Sequence, residues 1–445
     1  MVVLWTDALI YLLILATVLL ALYFRNKPHI QRPLQLLGGS STAMVSLVIL
    51  LFFVIIGLLD SIHYQSAGSS SHDIVSLLDD IAKPLRERNE KTYSAPFAIY
   101  LYNKEMLVME DGTTRWDYPR LKYAGAHLTN PEQHRLDILK KAGIGVTVSV
   151  GLVLVVMVAL WLLLKPFRRI FFTVDSARAV WCLIIIVVTF LGTLSYLSLF
   201  YHVFGTDKVG EDVFYQTLKS VRTGLVIGTL TTIIMLPMAI LFGILAGFFR
   251  GWIDDVIQYV YTTLNSIPSV LLIAASILSV QVYMANHEEA YASVLIRADM
   301  RLLFLCLILG VTNWTGLCRL LRAETLKLRE MEYVQAAQAL GVKNGTVLIR
   351  HILPNVMHIV LIAVVLDFSS LVLAEAVLSY INIGVDPTTY SWGNMINSAR
   401  LEMARDPAVW WSLTAAFVFM FALVLAANLF ADKVRDAFDP RRTGL

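Results

Sequence analysis

Apolar residues occur along this chain in long runs that are separated by shorter polar segments. A helix needs about 20 predominantly apolar residues to cross the hydrocarbon core of a bilayer. Nine runs approach or exceed that length, at roughly 3–24, 43–60, 142–164, 180–201, 223–248, 263–284, 301–320, 356–379 and 408–431. The pattern predicts an all-α polytopic membrane protein with about nine transmembrane helices.

The basic residues of three short loops indicate how these predicted helices are oriented. Cytoplasmic loops of membrane proteins carry an excess of Lys and Arg. The loops after the first, third and seventh runs hold such residues: Arg25, Lys27 and Arg32; Lys165, Arg168, Arg169 and Arg178; Arg322, Lys327, Arg329, Lys343 and Arg350. If nine helices alternate, all three loops lie on one side. The sequence therefore predicts a cytoplasmic C-terminus and an N-terminus outside.

The longest polar segment, 61–141, is predicted to lie outside and is called the insert below. It mixes acidic and basic residues almost evenly and has few apolar runs. Apolar residues at 97–102 and 106–109, separated by Asn103 and Lys104, predict a β-hairpin. The insert is large enough to hold a modest core, and we predict a small α+β fold.

Composition agrees with a membrane protein and excludes several other functions. Of the 445 residues, 57% are hydrophobic and 16% charged, whereas soluble domains carry about a quarter charged residues. The net charge of +3 is too small to argue for nucleic-acid binding. Cys182, Cys306 and Cys318 fall inside apolar runs, without the spacing of a metal or redox site. The sequence lacks GxxxxGKS, GxxxxGKT, HExxH and GxSxG motifs. We therefore predict no P-loop, no metal site and no catalytic residue in this chain.

One polar segment, 321–355, is rich in charged and helix-forming residues for a loop between two membrane helices. Residues 324–340 contain Glu, Leu, Arg, Gln, Met and Ala, all of which favour a helix. Gly341 is suited to the left-handed conformation that ends a helix. Asn344 is suited to cap a second short helix, and Pro354 marks the start of the next membrane helix. The segment predicts a helix–glycine–helix elbow whose small side chains let a partner approach closely.

Two polar groups outside the apolar runs also have predicted roles. A helix is expected to begin near Glu211. Thr206, Asp207 and Asp212 lie around this start, and their side chains are suited to cap the helix. Trp392 lies in the last loop predicted to be outside, where we expect it to be an aromatic residue of the membrane interface.

Seven short motifs occur in order over the second half of the chain. They are Phe204-Gly-Thr-Asp207 with Gly210-Glu-Asp212, Gly247-Phe-Phe-Arg-Gly-Trp-Ile-Asp254, Ser266-Ile-Pro268-Ser269, Glu332-Tyr-Val-Gln-Ala-Ala-Gln-Ala-Leu-Gly341 with Arg350-His-Ile-Leu-Pro354, Leu373-Ala-Glu375-Ala, Ser391-Trp-Gly-Asn-Met395 and Arg435-Asp-Ala-Phe-Asp-Pro440-Arg441. Together they resemble the C-type permease subunit of oligopeptide and dipeptide ABC importers.

The resemblance implies a domain organisation and a coupling site. A type I ABC-importer permease core is expected at 202–445, with 321–355 as its cytoplasmic EAA coupling loop. Two transmembrane helices at 1–60, the insert at 61–141 and two further transmembrane helices at 142–201 precede the core. The coupling loop is expected to lie in a groove of a partner ATPase. The residues that the resemblance assigns to coupling are Glu332, Gln335, Ala336, Ala337, Gly341, Ile352 and Pro354.

The same resemblance implies a function and partners. The chain is expected to take up peptides or related small solutes by alternating access in the bacterial inner membrane. The implied partners are a B-type permease subunit, two ATPase subunits that bind ATP and Mg²⁺, and an extracytoplasmic solute-binding protein. We expect the insert to help dock that binding protein. No cofactor is expected in this chain, which contacts lipid and not nucleic acid.

Three residues depart from the motifs of that family. Gln335 stands where the family usually has Glu, Glu211 stands where it usually has Arg, and Asp367 lies inside a predicted membrane helix. Acidic residues inside a membrane usually face a bundle interior or water. Asp367 and Glu375 are about two helical turns apart, and we predict that both line the translocation path. The alternative is a structural hydrogen bond between helices or, for Glu375, a position near the membrane interface.

Two alternative functions are compatible with the same residues. In a proton-coupled secondary transporter, Asp367 and Glu375 would relay protons. In a membrane sensor or scaffold, the insert would bind a ligand and the polar loop would signal to a partner. The EAA-like loop argues against the first alternative.

Overall fold

The computed structural model describes residues 3–24, 28–65, 74–108, 114–163, 175–287 and 293–438. Within these ranges the longer helices are α1 (Trp5–Phe24), α2 (Pro28–Gly39), α3 (Ser41–Ser61), α6 (His134–Leu163), α7 (Asp175–Leu197), α8 (Val213–Phe249), α9 (Gly251–Ser266), α10 (Ser269–Ala285), α11 (Val294–Arg329), α14 (Leu353–Tyr380), α15 (Trp392–Glu402) and α16 (Trp411–Phe438). Shorter helices are α4 (Leu77–Ile81), α5 (Lys83–Arg86), α12 (Glu332–Ala339) and α13 (Asn344–Val347). The strands are β1 (His63–Gln65), β2 (Ile74–Ser76), β3 (Glu105–Val108) and β4 (Thr114–Asp117).

The all-α membrane architecture is confirmed, because a helix occurs at each of the nine predicted positions. Among the described residues, six helices are long and apolar enough to cross a membrane, and the bent pair α9–α10 would be a seventh. The axes of the two helices of that pair differ in direction by 86°, and the Ser266–Ser269 motif lies at the break between them. The number nine and the orientation of the termini stay predictions.

The chain divides into two compact units. The first contains Gly38–Thr223 and Tyr390–Ala426, and the second contains Val3–Leu37, Gly224–Thr389 and the chain from Ala427 onward. The insert therefore belongs to the first unit and the predicted coupling loop to the second.

Backbone hydrogen bonds tie the insert to the segment between α7 and α8 within the first unit. The bonds are Glu90 N to Gly210 O (3.0 Å), Phe97 N to His202 O (2.9 Å), Gly125 N to Phe200 O (3.0 Å) and Thr206 N to Ser94 O (3.1 Å). Such bonds satisfy backbone groups that would otherwise be buried without partners. The insert is thus integrated into the fold of its unit rather than joined to it only at its ends.

The insert contains two small antiparallel sheets, β1–β2 and β3–β4. The prediction of a hairpin between 97–102 and 106–109 was wrong, because the strand paired with β3 is β4 and not the segment 97–102. Phe97 has φ 59°, a left-handed conformation that interrupts an extended strand. Ile99 is nevertheless buried, and its carbonyl accepts a hydrogen bond from Leu121 N at 2.9 Å. The apolar residues of this segment pack as a loop.

Glycines allow close contact between α8 and α11 in the second unit. A Cβ at Gly243 would lie 2.8 Å from the carbonyl oxygen of Cys318, and one at Gly247 would lie 2.6 Å from Cβ of Thr325. Small residues let membrane helices approach in this way. The Gly247–Asp254 motif also supplies Asp254, whose carboxylate accepts two hydrogen bonds of 2.6 Å from the guanidinium of Arg322. This ion pair holds α9 against α11.

Candidate coupling surface and the Phe204–Asp212 segment

The predicted elbow is present in the second unit, and its glycine has the expected conformation. Helix α12 ends at Ala339, and Gly341 follows with φ 79°. Helix α13 begins at Asn344, but the N-cap position is Lys343 and its side chain makes no capping hydrogen bond. The predicted capping role of Asn344 was therefore wrong, because the helix begins at that residue instead of after it. We call residues 332–352 the coupling elbow.

One face of the coupling elbow is buried in the core of its own unit. Val334, Val347 and Ile352 are fully buried and Ala337 nearly so, in a cluster that also contains Leu321. Burial of this size stabilises the elbow by about 1.5 to 3 kcal/mol for each large apolar side chain. Two of the predicted coupling residues, Ala337 and Ile352, therefore hold the elbow in place and do not present a surface to a partner.

The other face is exposed and carries both polar and apolar side chains. Glu332, Gln335, Ala336, Gly341 and Pro354 are exposed, as a docking surface requires. The exposed apolar side chains are Leu340 at 83%, Ile349 at 66%, Met331 at 50% and Tyr333 at 41%. Exposed apolar clusters rimmed by polar residues mark interaction sites. Sequence reasoning missed these four residues, although Leu340 directly precedes the glycine of the motif.

The side chain of Gln335 lies beside that of Glu330. Its side-chain amide donates to the carbonyl oxygen of Glu330 at 3.3 Å and lies 3.4 Å from Oε2 of the same residue. The side chain of Glu332 makes no hydrogen bond or ion pair with another residue in the described part of the chain. The carboxylate beside Gln335 is thus that of Glu330.

The two intramembrane acids have different surroundings in α14. Glu375 is buried and accepts a hydrogen bond of 2.7 Å from Ser379, one turn further along the helix. Asp367 is half-buried, and its carboxylate has no hydrogen-bond partner within the described ranges. A buried, bonded carboxylate suits a structural role, whereas a half-buried one without a partner suits contact with water or solute. Their place in a translocation path stays a prediction.

In the first unit, Asp212 caps α8 as predicted. Its Oδ1 accepts hydrogen bonds from Phe214 N at 2.8 Å and Tyr215 N at 3.2 Å. Its Oδ2 lies 2.7 Å from Nδ1 of His202. Asp207 does not cap the helix; it accepts from the backbone of Val209 and Glu211 and closes the turn before it.

His202 lies between two buried carboxylates. Besides Asp212, Oε1 of Glu90 lies 3.6 Å from its Nε2. Burial lowers the pKa of His202, but the two carboxylates outweigh that effect and raise it to about 9. Burial raises the pKa of Glu90, yet His202 and three backbone N–H donors at Lys122, Tyr123 and Ala124 hold it below its usual range. No motif or spacing predicts this pairing, because Glu90 and His202 are far apart along the chain.

Trp392 is not a residue of the membrane interface. It is 1% exposed, and its Nε1 donates to the carbonyl oxygen of Thr217 at 3.2 Å. Its ring packs edge-on against Phe53 with 6.4 Å between ring centroids. The interfacial prediction was therefore wrong: a buried Trp with a bonded N–H packs within the core. Ser391 caps α15 by accepting from Asn394 N at 3.0 Å.

Apolar helices of membrane length, with an exposed elbow between two of the helices of the second unit, are typical of polytopic transport permeases. Residues 239–444 match the family described as binding-protein-dependent transport system inner membrane component. The chain belongs to this family.

Three related proteins agree with this assignment. A peptide permease protein of Brucella suis biovar 1 (strain 1330) is 32% identical over 242 residues, which is 54% of this chain and 73% of the relative. The oligopeptide transport system permease protein OppC of Mycobacterium tuberculosis (strain ATCC 25618 / H37Rv) is 31% identical over 55% of this chain and 77% of its own length. The dipeptide transport system permease protein DppC of Lactococcus lactis subsp. cremoris (strain MG1363) is 30% identical over 54% of this chain and 64% of its own.

These comparisons confirm the resemblance that the seven motifs predicted. Neither the secondary transporter nor the sensor is supported by them. Members of the family are transport subunits, and the part of this chain that the structure describes contains no cluster of three or more His, Cys, Asp or Glu that could hold a metal ion.

Proposed function

We propose that this chain is the permease subunit of an ATP-driven importer for peptides or related small solutes. The observation that carries the proposal is the coupling elbow, which is anchored by Val334, Val347 and Ile352 and exposes Leu340 and Ile349. An anchored helix with exposed apolar side chains suits the helix-in-groove mode of recognition. Motion of an ATPase groove would therefore be passed to α11 and α14, between which the elbow lies in sequence.

Such a permease acts within a larger assembly. The proposed partners are a B-type permease subunit, two ATPase subunits and an extracytoplasmic solute-binding protein. ATP and Mg²⁺ would bind the ATPase subunits, and this chain would need no cofactor. We place the chain in a bacterial inner membrane, with the N-terminus outside and the coupling elbow in the cytoplasm, on the Lys and Arg content of its loops. The substrate class rests on the names of the relatives.

Leu340→Asp tests the coupling surface. An apolar anchor at the centre of an interface contributes about 2 kcal/mol or more, so ATPase binding should weaken about 30-fold. Purification of the assembled transporter should recover little ATPase, and peptide uptake should be lost, while membrane insertion is retained. Gly341→Arg should also abolish uptake, because it adds a bulky charge at a residue with φ 79°.

The matched control is Leu401→Asp. Leu401 is 73% exposed on a short helix of the first unit, and its substitution should leave both ATPase recovery and uptake unchanged. Full recovery of the ATPases with Leu340→Asp, together with normal uptake, would show that the coupling elbow has been assigned wrongly.

Asp367→Asn tests the proposed lining of the translocation path. If the carboxylate meets a peptide amine, its neutralisation should reduce uptake of cationic peptides severalfold and leave neutral peptides nearly unaffected. Labelled peptide uptake in reconstituted vesicles measures this, with Asp432→Asn, an exposed aspartate of α16, as control. Equal uptake of both peptide classes by the Asp367 variant and the parent would contradict the role.

A further inference from the structure

The turn that joins α8 to α9 has an unusual backbone conformation. Arg250 has φ 55° and ψ −168°, and Gly251 follows with φ 58°. The conformation of Arg250 is adopted almost only by glycine, and a side chain there is strained. Arg250 holds this conformation while its side chain makes an ion pair with Glu330. We call Arg250 and Gly251 the corner.

The end of α11 holds the corner through two side chains. Nη2 of Arg250 donates to Oε1 of Glu330 at 2.5 Å. Nη1 of Arg329 donates to the carbonyl oxygen of Phe248 at 2.8 Å. The last carbonyl groups of a helix have no hydrogen-bond donor within the helix. Arg329 is such a donor for the carbonyl group of Phe248 in the last turn of α8. Both bonds lie within the second unit, and together they fix the corner to the residues that lead into the coupling elbow.

Gln335 extends this contact into α12. Its side-chain amide donates to the carbonyl oxygen of Glu330, the residue whose carboxylate accepts the hydrogen bond from Arg250. A glutamate at position 335 would place a second carboxylate about as close to Glu330 as the amide now lies, and like charges at this separation repel. The neutral amide of Gln335 avoids this repulsion while it bonds Glu330.

We propose that Gln335, Glu330 and Arg250 form a linkage that transmits displacement of the coupling elbow to the corner between α8 and α9. The three are positioning residues, and the proposal rests on the proposed function of the elbow. Arg250 and Glu330 are 47% and 56% exposed at their side chains, and exposed ion pairs contribute little to stability. Loss of the linkage should thus change coupling and leave folding nearly unaffected.

Charge reversal and charge exchange test the linkage in the assembled transporter with its ATPases. Arg250→Glu, Glu330→Arg and Gln335→Glu should each reduce peptide uptake per ATP hydrolysed about fivefold. The melting temperatures of all three variants should remain that of the parent. ATPase recovery should remain that of the parent in Arg250→Glu and Glu330→Arg, which leave the exposed face of the coupling elbow unchanged. The double variant Arg250→Glu with Glu330→Arg re-forms the pair with opposite polarity, and should return uptake per ATP to within about twofold of the parent.

The control is Glu324→Gln, which breaks the pair of Glu324 with Lys327 (3.0 Å) on the same helix without involving the corner. Uptake per ATP should be unchanged in that variant. The linkage is refuted if the reversed variants transport like the parent, or if the exchanged pair is no better than either single change. Loss of ATPase binding in Leu340→Asp with normal transport in the corner variants would refute the linkage and leave the proposed function standing.

Discussion

Gly210→Ala is expected to destabilise the protein by about 3 to 5 kcal/mol. Gly210 has φ 80°, where an L side chain costs about 1 to 2 kcal/mol. A Cβ would also lie 1.9 Å from the carbonyl oxygen of Glu90, far inside van der Waals contact. Relief of that clash requires movement of the backbone and loss of the 3.0 Å hydrogen bond from Glu90 N to Gly210 O. The apparent melting temperature of the solubilised protein measures the effect.

Gly341→Ala is the matched control for the stability measurement. Gly341 has φ 79°, nearly the same as Gly210, but a Cβ there would meet nothing within 4 Å. Its substitution should cost only the conformational penalty, about 1 to 2 kcal/mol. Equal losses of melting temperature at the two glycines would show that the contact between Gly210 and Glu90 contributes nothing.

A rise in pH from 6 to 10 is expected to remove about 3 kcal/mol of stability through His202. The folded state raises the pKa of His202 to about 9 from the ordinary 6.5. The contribution is therefore full below about pH 6.5, falls as the pH rises and is lost once the pH passes about 9. Glu90 contributes in the acidic range, because the folded state lowers its pKa. Its contribution to stability is present at a pH above the pKa of an unfolded Glu, and it is lost as the pH falls through the lower pKa of the folded state.

His202→Gln should abolish this pH dependence and lower stability at neutral pH, because Glu90 and Asp212 then lose their buried cation. Melting temperature recorded at intervals between pH 6 and 10 gives the comparison. His134→Gln is the control, since that ring lies 2.7 Å from the carbonyl oxygen of Phe97 and faces no such carboxylate pair. A parent curve as flat as that of His202→Gln would mean that His202 is not held charged.

The helices and the elbow could be predicted because their signals are local. Apolar runs of membrane length mark helices without any knowledge of neighbours, and Gly341 ends α12 by its own conformational freedom. The predicted hairpin failed because apolar residues at 97–102 resemble a strand, whereas the left-handed Phe97 and the packing of Ile99 are set by the tertiary fold. Local propensity gives way where tertiary contacts decide.

The candidate site was predictable only in part for a related reason. The resemblance identified the elbow but not which of its faces is buried, so Ala337 and Ile352 were assigned to docking and Leu340 was not. An exposed leucine and a core leucine look the same in a single sequence. The contact of Glu330 with Arg250 joins residues 80 positions apart along the chain, and no spacing rule predicts it.

The backbone bonds between the insert and the segment around Phe204–Asp212 have a consequence for domain grafting. Glu90 N donates to the carbonyl oxygen of Gly210, and Thr206 N donates to that of Ser94. Gly210 has no side chain, which leaves room for the backbone of Glu90. A chimera in which a shorter segment from a relative replaces the insert would leave these groups unbonded and His202 without one carboxylate. Such a graft should therefore need residues 199–212 to be transplanted with the insert, together with Tyr215 and Lys219, whose side chains bond Asp79 of the insert.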